Sequence, residues 1–117
     1  MSHSLTKLWI HLVFSTKDRA PLINTSYSES LFNHIRNKMK EEFNCPVKNI
    51  NGMEDHVHIL FLQDPNHSLA SIVKNIKGES SYWINNHNFT KCKFLWQIGY
   101  GAFSVSESKL NETHNYI

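Results

Sequence analysis

The chain has 117 residues, with 12 Lys or Arg against 10 Asp or Glu and a formal net charge of +2. This length fits one domain, residues 1–117, that buries a core without disulfides, and the small charge permits an anionic partner without requiring one. Cys45 and Cys92 lack the paired spacing of a structural zinc site and suit a reducing cytoplasm. The apolar stretch 8–14 is too short for a signal peptide or a membrane span. We therefore expect a cytoplasmic protein with no membrane partner.

The first predicted elements are a strand and a helix. Residues 8–14 are rich in β-branched and aromatic side chains, which predicts a strand, and residues 15–21 have turn composition. Ser26 stands three residues before Glu29, a capping-box pattern that predicts a helix over residues 27–43. Apolar side chains recur along it at helical spacing: Leu31, Phe32, Ile35 and Met39.

A hairpin and a second helix are predicted next. Pro46 breaks the first helix, and residues 47–51 and 56–62 are typical of two strands joined by the turn 52–55. We expect Ser68 to cap a second helix that ends near residue 85, because apolar residues recur along one helical face of that segment.

The remaining segments complete a known arrangement. After a polar loop, the aromatic segments 94–96 and 100–105 predict strand structure, and Ser106 is expected to cap a last helix toward residue 117. The order β-α-β-β-α-β plus a helix predicts an α+β fold of the ferredoxin-like type. In this fold two helices cover one face of an antiparallel sheet and leave the other face open.

His56 and His58 are the most informative pair in the sequence. Residues two apart on a strand share a face at a distance of about 7 Å, so the two imidazoles could meet on one metal ion. If Val57 and its alternate neighbours face the helices, both histidines face the open side. Two other readings remain: a solvated strand face, or buried neutral imidazoles with hydrogen-bond partners. Asp55 could serve the turn or orient a histidine.

Three segments carry a family resemblance: WIHLVF at 9–14, NGMEDHVHIL at 51–60 and WQIGYGAFSVS at 96–106. Together they resemble the small tyrosine transposases of the insertion sequence 200/605 family. That family belongs to the HUH superfamily, which is named for histidine, hydrophobic residue, histidine. The resemblance implies a DNA transposase, a metal-dependent enzyme that cleaves and rejoins single-stranded DNA through a 5′-phosphotyrosine link.

The resemblance also implies residue roles. His56 and His58 correspond to the metal ligands, and Tyr116 corresponds to the nucleophile on the last helix. Tyr100 competes for that role, but its predicted place in a strand favours packing. Imidazole ligands alone leave the metal open, and the resemblance favours Mg²⁺ or Mn²⁺.

The family's third metal ligand is typically a glutamine four residues beyond the tyrosine. The corresponding position lies past Ile117, so we expect the last helix to be cut short in this sequence, with Glu112 as a possible stand-in ligand. The implied partners are single-stranded DNA with hairpins at the ends of the element, and a second copy of the chain in a homodimer joined through strands.

DNA contacts are less specific in the sequence. Basic residues on the first loop and the two long helices could touch phosphates: Lys17, Arg19, Arg36, Lys38, Lys40, Lys74 and Lys77. Trp96 and Phe103 could stack on bases or belong to the core. Two further functions stay open. One is a noncatalytic or domesticated module that binds single-stranded nucleic acid. The other is a metallohydrolase of small phosphate esters, but the sequence has no carboxylate cluster to complete its metal site.

Overall fold

The computed structural model describes residues 7–117, which form a four-stranded antiparallel sheet and three α-helices. The elements in chain order are β1 Leu8–Ser15, a 3-10 helix Lys17–Arg19, α1 Ser28–Phe43, β2 Val47–Met53, β3 His56–Gln63, α2 Leu69–Asn86, β4 Gly101–Val105, a 3-10 helix Glu107–Lys109 and α3 Leu110–Tyr116. The strand order β2-β3-β1-β4 confirms the predicted ferredoxin-like fold.

The main core lies between the sheet and the pair α1 and α2. Along β1 every second side chain is buried, because successive strand residues point to opposite faces. The helices contribute side chains at helical spacing, including Leu31, Ile35 and Met39, all fully buried. Each such side chain stabilises the fold by about 1.5–3 kcal/mol relative to an exposed one. Periodicity in the sequence therefore located this core correctly.

The hairpin of β2 and β3 holds the histidine pair in register. Gly52 lies opposite Val57, and Met53 lies opposite His56 across a two-residue turn. A Cβ atom added at Gly52 would clash with the backbone oxygen of His56. Only glycine permits this close approach of the two strands, so Gly52 helps to set the position of His56.

The predicted helix caps were right at one helix of three. Ser68 caps α2, and its Oγ accepts a hydrogen bond from the Ser71 amide at 3.1 Å. Ser26 does not cap α1, because Asn24 supplies the carbonyl that receives the amides of Tyr27 and Ser28. Ser106 precedes a 3-10 turn, and α3 starts four residues later without a side-chain cap.

The fourth strand is shorter than the sequence predicted. Residues 94–96 make a single bridge, between Trp96 and Thr16, and the strand itself begins at Gly101. Trp96 is buried, and its indole Nε1 donates a hydrogen bond to Ser80 Oγ at 2.9 Å. The segment between Trp96 and β4 is therefore a loop beside the sheet. In the described part of the chain, none of the helices combines the length and apolar character that a membrane crossing requires.

Candidate active site on the open face of the sheet

Three histidines share the face of the sheet that α1 and α2 leave uncovered. Val57, Ile59 and Phe61 of β3 are fully buried in the main core, so His56 and His58 point to the other side. Their ring centroids are 4.9 Å apart. The expected orientation is confirmed, and neither histidine belongs to the main core. His11 of β1 joins them, with its ring centroid 5.1 Å from that of His58.

Asp55 orients His56 as well as serving the turn. The Nδ1 atom of His56 donates a hydrogen bond to Asp55 Oδ1 at 2.8 Å, and Arg19 Nε donates to Asp55 Oδ2 at 2.9 Å. These hydrogen bonds from His56 and Arg19 hold the pKa of the Asp55 carboxyl below its usual range. An ionised Asp55 fixes the proton of His56 on Nδ1 and leaves Nε2 as the ring atom with a lone pair.

His58 has a different partner at the same ring position. Its Nδ1 atom lies 2.9 Å from His11 Nε2, within hydrogen-bond distance. Burial lowers the pKa of both imidazoles below the usual 6.5, so both are neutral at pH 7. A neutral imidazole is the form that binds a metal.

Helix α3 brings Tyr116 to the same face. The side chain of Asn49 donates to the His114 carbonyl oxygen and that of Asn51 donates to the Ile117 carbonyl oxygen, each at 3.0 Å, which fastens the helix to β2. The Tyr116 ring centroid then lies 5.9 Å from that of His58, although 74% of the tyrosine is exposed. The structure thus brings together all three residues that the sequence singled out.

A groove of about 500 Å³ on this face is lined by His56 and His58. Tyr100 lines this groove and is 43% exposed, so its expected role as a strand packing residue is wrong. The loop before β4 is held by Lys77, whose Nζ donates to the carbonyl oxygens of Gln97 at 2.5 Å and Gly99 at 2.8 Å. Lys77 therefore stabilises the groove wall through its ammonium group.

The other predicted site residues differ in whether they line the groove. Phe103 is 59% exposed on the groove, whereas Trp96 belongs to the core. Arg19 also lines the groove. Glu112 pairs with Lys109 at 3.5 Å and lines a cavity that His11 and Tyr116 also line. Across residues 7–117, no three His, Cys, Asp or Glu side chains are grouped as a metal site.

The two histidines nevertheless fit a divalent cation. Each uses Nδ1 for a hydrogen bond, and among the described residues neither Nε2 atom has a hydrogen-bond partner. Metal-binding histidines usually have this arrangement, with the second ring nitrogen held by a protein group. The donor set is thus suitable for part of a metal site.

His11 is the residue that sequence reasoning missed. It stands 47 residues before His58, and no motif joins them. One signal was available: His11 alternates with the inward-facing Ile10 and Leu12, and the ferredoxin-like order places β1 beside β3. Together these two facts put His11 and His58 on one face.

Comparison with known proteins places this chain in a family. The family model described as "Transposase IS200 like" matches residues 4–117. The chain belongs to the IS200-like transposase family. No curated protein matches this transposase in sequence.

Two solved structures share its fold. A candidate transposase from Deinococcus radiodurans R1 has a TM-score of 0.81 at 24% identity, covering 99% of this chain and 92% of that one. A REP-associated tyrosine transposase bound to a REP hairpin has a TM-score of 0.68 at 17% identity, covering 100% of this chain and 70% of that one. At these identities the likeness concerns the fold alone.

Proposed function

We propose that this transposase cleaves and rejoins single-stranded DNA, with Tyr116 as the nucleophile and with His56 and His58 as ligands of Mg²⁺ or Mn²⁺. The observation that carries the proposal is the position of the Tyr116 ring, 5.9 Å from the ring of His58. On the same face, the Nε2 atoms of His56 and His58 have no hydrogen-bond partner among residues 7–117. Because Tyr116 is 74% exposed, a DNA strand can approach its side chain. Family membership supports the same assignment.

The chemistry requires few groups from the protein. The Tyr116 hydroxyl loses its proton as its oxygen bonds to a DNA phosphorus. The bond from phosphorus to the 3′ oxygen breaks, and the departing oxygen gains a proton, so the step balances. The product is a 5′-phosphotyrosine link and a free 3′-hydroxyl. Because the phosphodiester energy is kept in this link, a second DNA 3′-hydroxyl can reverse the reaction without ATP. A transposase can use such a pair of steps to move its element.

His56 and His58 would bind the cation that neutralises charge on the reacting phosphate. Asp55 and His11 hold the Nδ1 atoms of His56 and His58, which leaves the two Nε2 atoms for a ligand, and both residues line the groove. A bound Mg²⁺ or Mn²⁺ would supply positive charge to nonbridging phosphate oxygens and orient the scissile bond. Phosphate and water oxygens, which these cations prefer, can provide further ligands.

The DNA partner we propose is a single strand with hairpins at the ends of the element. The REP-associated transposase was solved with a REP hairpin, which supports a similar partner for this chain. The groove offers Arg19 for phosphates and the exposed rings of Tyr100 and Phe103 for unpaired bases. Stacking of this kind is worth about 1–3 kcal/mol per base.

We also propose a homodimer joined through strands. The sheet order leaves β2 and β4 at its two edges, each with one hydrogen-bonded neighbour among the described strands. An edge strand can pair with a second copy of itself. Sedimentation at micromolar concentration should give the mass of two chains, and a monomer would contradict this part of the proposal.

The test is formation of a covalent protein-DNA adduct on a denaturing gel. Labelled single-stranded oligonucleotides carrying the element ends are incubated with Mg²⁺ or Mn²⁺, and with a chelator as control. We expect an adduct that the chelator abolishes, and its loss in His56→Ala and His58→Ala. His87→Ala is the matched control, because His87 lies at the end of α2, outside the site. DNA binding without any adduct would favour a noncatalytic nucleic-acid module.

A further inference from the structure

His11 has no role in the proposed chemistry, yet it occupies the centre of the site. Its ring lies within 6.1 Å of Tyr116, 6.2 Å of Phe103 and 5.1 Å of His58, measured between ring centroids. It also lines a second cavity, between β4 and α3, together with Tyr116. Because β1 is a central strand, this position is set by the sheet and not by a mobile loop.

We propose that His11 is a positioning residue that holds His58 with its proton on Nδ1 and its lone pair on Nε2. The inference rests on the proposed function, in which His58 Nε2 binds the cation. The contact that carries it is the 2.9 Å distance between His11 Nε2 and His58 Nδ1. His11 therefore holds Nδ1 of His58, as Asp55 holds Nδ1 of His56.

The proton positions on His58 and His11 follow from the number of ring nitrogens that can carry a proton. A neutral imidazole carries one proton, so a His58 that offers its lone pair at Nε2 must carry the proton on Nδ1. That proton can only be donated to His11 Nε2, which must then be the acceptor. His11 in turn carries its own proton on Nδ1. One hydrogen bond thus fixes the tautomers of both rings.

The strand pairing makes this contact reproducible. His58 lies opposite Val13 and His11 lies opposite Leu60, so the two histidines are diagonal neighbours on β1 and β3. Leu60, on the same face of β3 as His58, is fully buried. A ring packed on a rigid sheet holds its hydrogen bond at little cost in entropy, which is what a positioning residue requires.

The first test measures the tautomer directly. Nitrogen-15 NMR of histidine-labelled, metal-free protein at about pH 8 distinguishes a protonated from an unprotonated ring nitrogen, since both rings are neutral well above pH 6.5. We expect a protonated Nδ1 and an unprotonated Nε2 on His58, and the same pattern on His11. A His58 proton on Nε2 would overturn the proposal.

The second test measures Mn²⁺ affinity in variants. We expect His11→Phe, which removes the acceptor, to weaken Mn²⁺ binding by about 10–100-fold, as is usual for a residue that orients a ligand. His11→Gln keeps an acceptor oxygen at a similar reach and should restore most of the affinity. His87→Gln is the matched control with no expected effect. Unchanged affinity in His11→Phe would overturn the proposal.

Failure of this proposal is distinguishable from failure of the proposed function. If the wild-type protein does not bind Mn²⁺, or binds it equally well after His56→Ala, the metal site is wrong. The NMR result still decides the hydrogen bond, because it is measured without metal. Thermal unfolding of both His11 variants shows whether they fold, and the Gln variant keeps the test usable if the Phe variant does not.

Discussion

The two faces of the sheet are built on different principles. The core-facing side chains of β1 and β3 under α1 and α2 are apolar, and each has 5% exposure or less. The other face carries three histidines and Tyr116. His56 donates a hydrogen bond to Asp55, and Asn49 and Asn51 donate to the carbonyl oxygens of His114 and Ile117 on either side of Tyr116. On the first face packing alone fixes the structure. On the second, polar contacts between distant segments place groups that remain open to a ligand.

This difference explains why both faces can share one sheet. Strand alternation assigns every second residue of β3 to each face, so the apolar set stabilises the fold while the histidine set is free for chemistry. Substitutions should therefore separate stability from activity according to face.

The largest expected effect is a cavity on the covered face. Phe61→Ala removes a fully buried ring, and we expect it to lower the free energy of unfolding by about 3–5 kcal/mol. Phe103→Ala removes an exposed ring of the same type and should change stability by no more than about 0.5 kcal/mol. Urea unfolding of both variants measures this contrast. Equal losses would show that the two faces are not distinct in packing.

Two glycine substitutions should act in opposite directions. At Gly52, under the histidine pair, an added methyl group meets the His56 backbone oxygen, so Gly52→Ala should destabilise the fold by about 1–3 kcal/mol. At Gly78, inside α2, nothing lies within 4 Å of the added atom. Gly78→Ala should stabilise by about 0.5–1 kcal/mol, because alanine is the better helix former. Thermal melts measure both, and a stabilising Gly52→Ala would contradict the packing described for the hairpin.

A smaller effect should appear as a pH dependence of stability that comes from the open face. Burial lowers the pKa of His11 and His58 in the folded state, so the unfolded chain binds more protons below the unfolded pKa of about 6.5. Their contribution to stability is complete above that pH and is lost as the pH falls through the folded pKa values. Denaturant midpoints of metal-free protein should therefore fall as the pH drops below about 6.5. His11→Gln should make this fall shallower, and an unchanged slope would exclude His11 as a source.

Sequence reasoning was strongest where a single segment contains its own signal. Alternation in β3 predicted which side of the strand carries His56 and His58, and Ser68 marked the start of α2. It was weakest where the structure depends on another segment. Ser26 matched a capping box, but the carbonyl of Asn24 takes the first amides of α1.

The candidate site shows the same division. His56, His58 and Tyr116 were found from a motif and a resemblance. His11 was missed because it contacts His58 across the pairing of β1 with β3. Tyr100 was wrongly assigned to strand packing, because its loop is tied to α2 by Lys77, a contact between distant segments. Contacts between segments of such separation are set by the fold, so a local pattern carries little information about them.

The most direct measurement compares the two tyrosines near the histidines. The chelator-sensitive adduct is formed with labelled single-stranded element ends, and the modified peptide is identified by mass spectrometry in wild type, Tyr116→Phe and Tyr100→Phe. Both variants should fold and bind DNA, because both rings are exposed. The account predicts that the label maps to Tyr116, that Tyr116→Phe forms no adduct and that Tyr100→Phe still does. An adduct that survives Tyr116→Phe, or that maps to Tyr100, would contradict it.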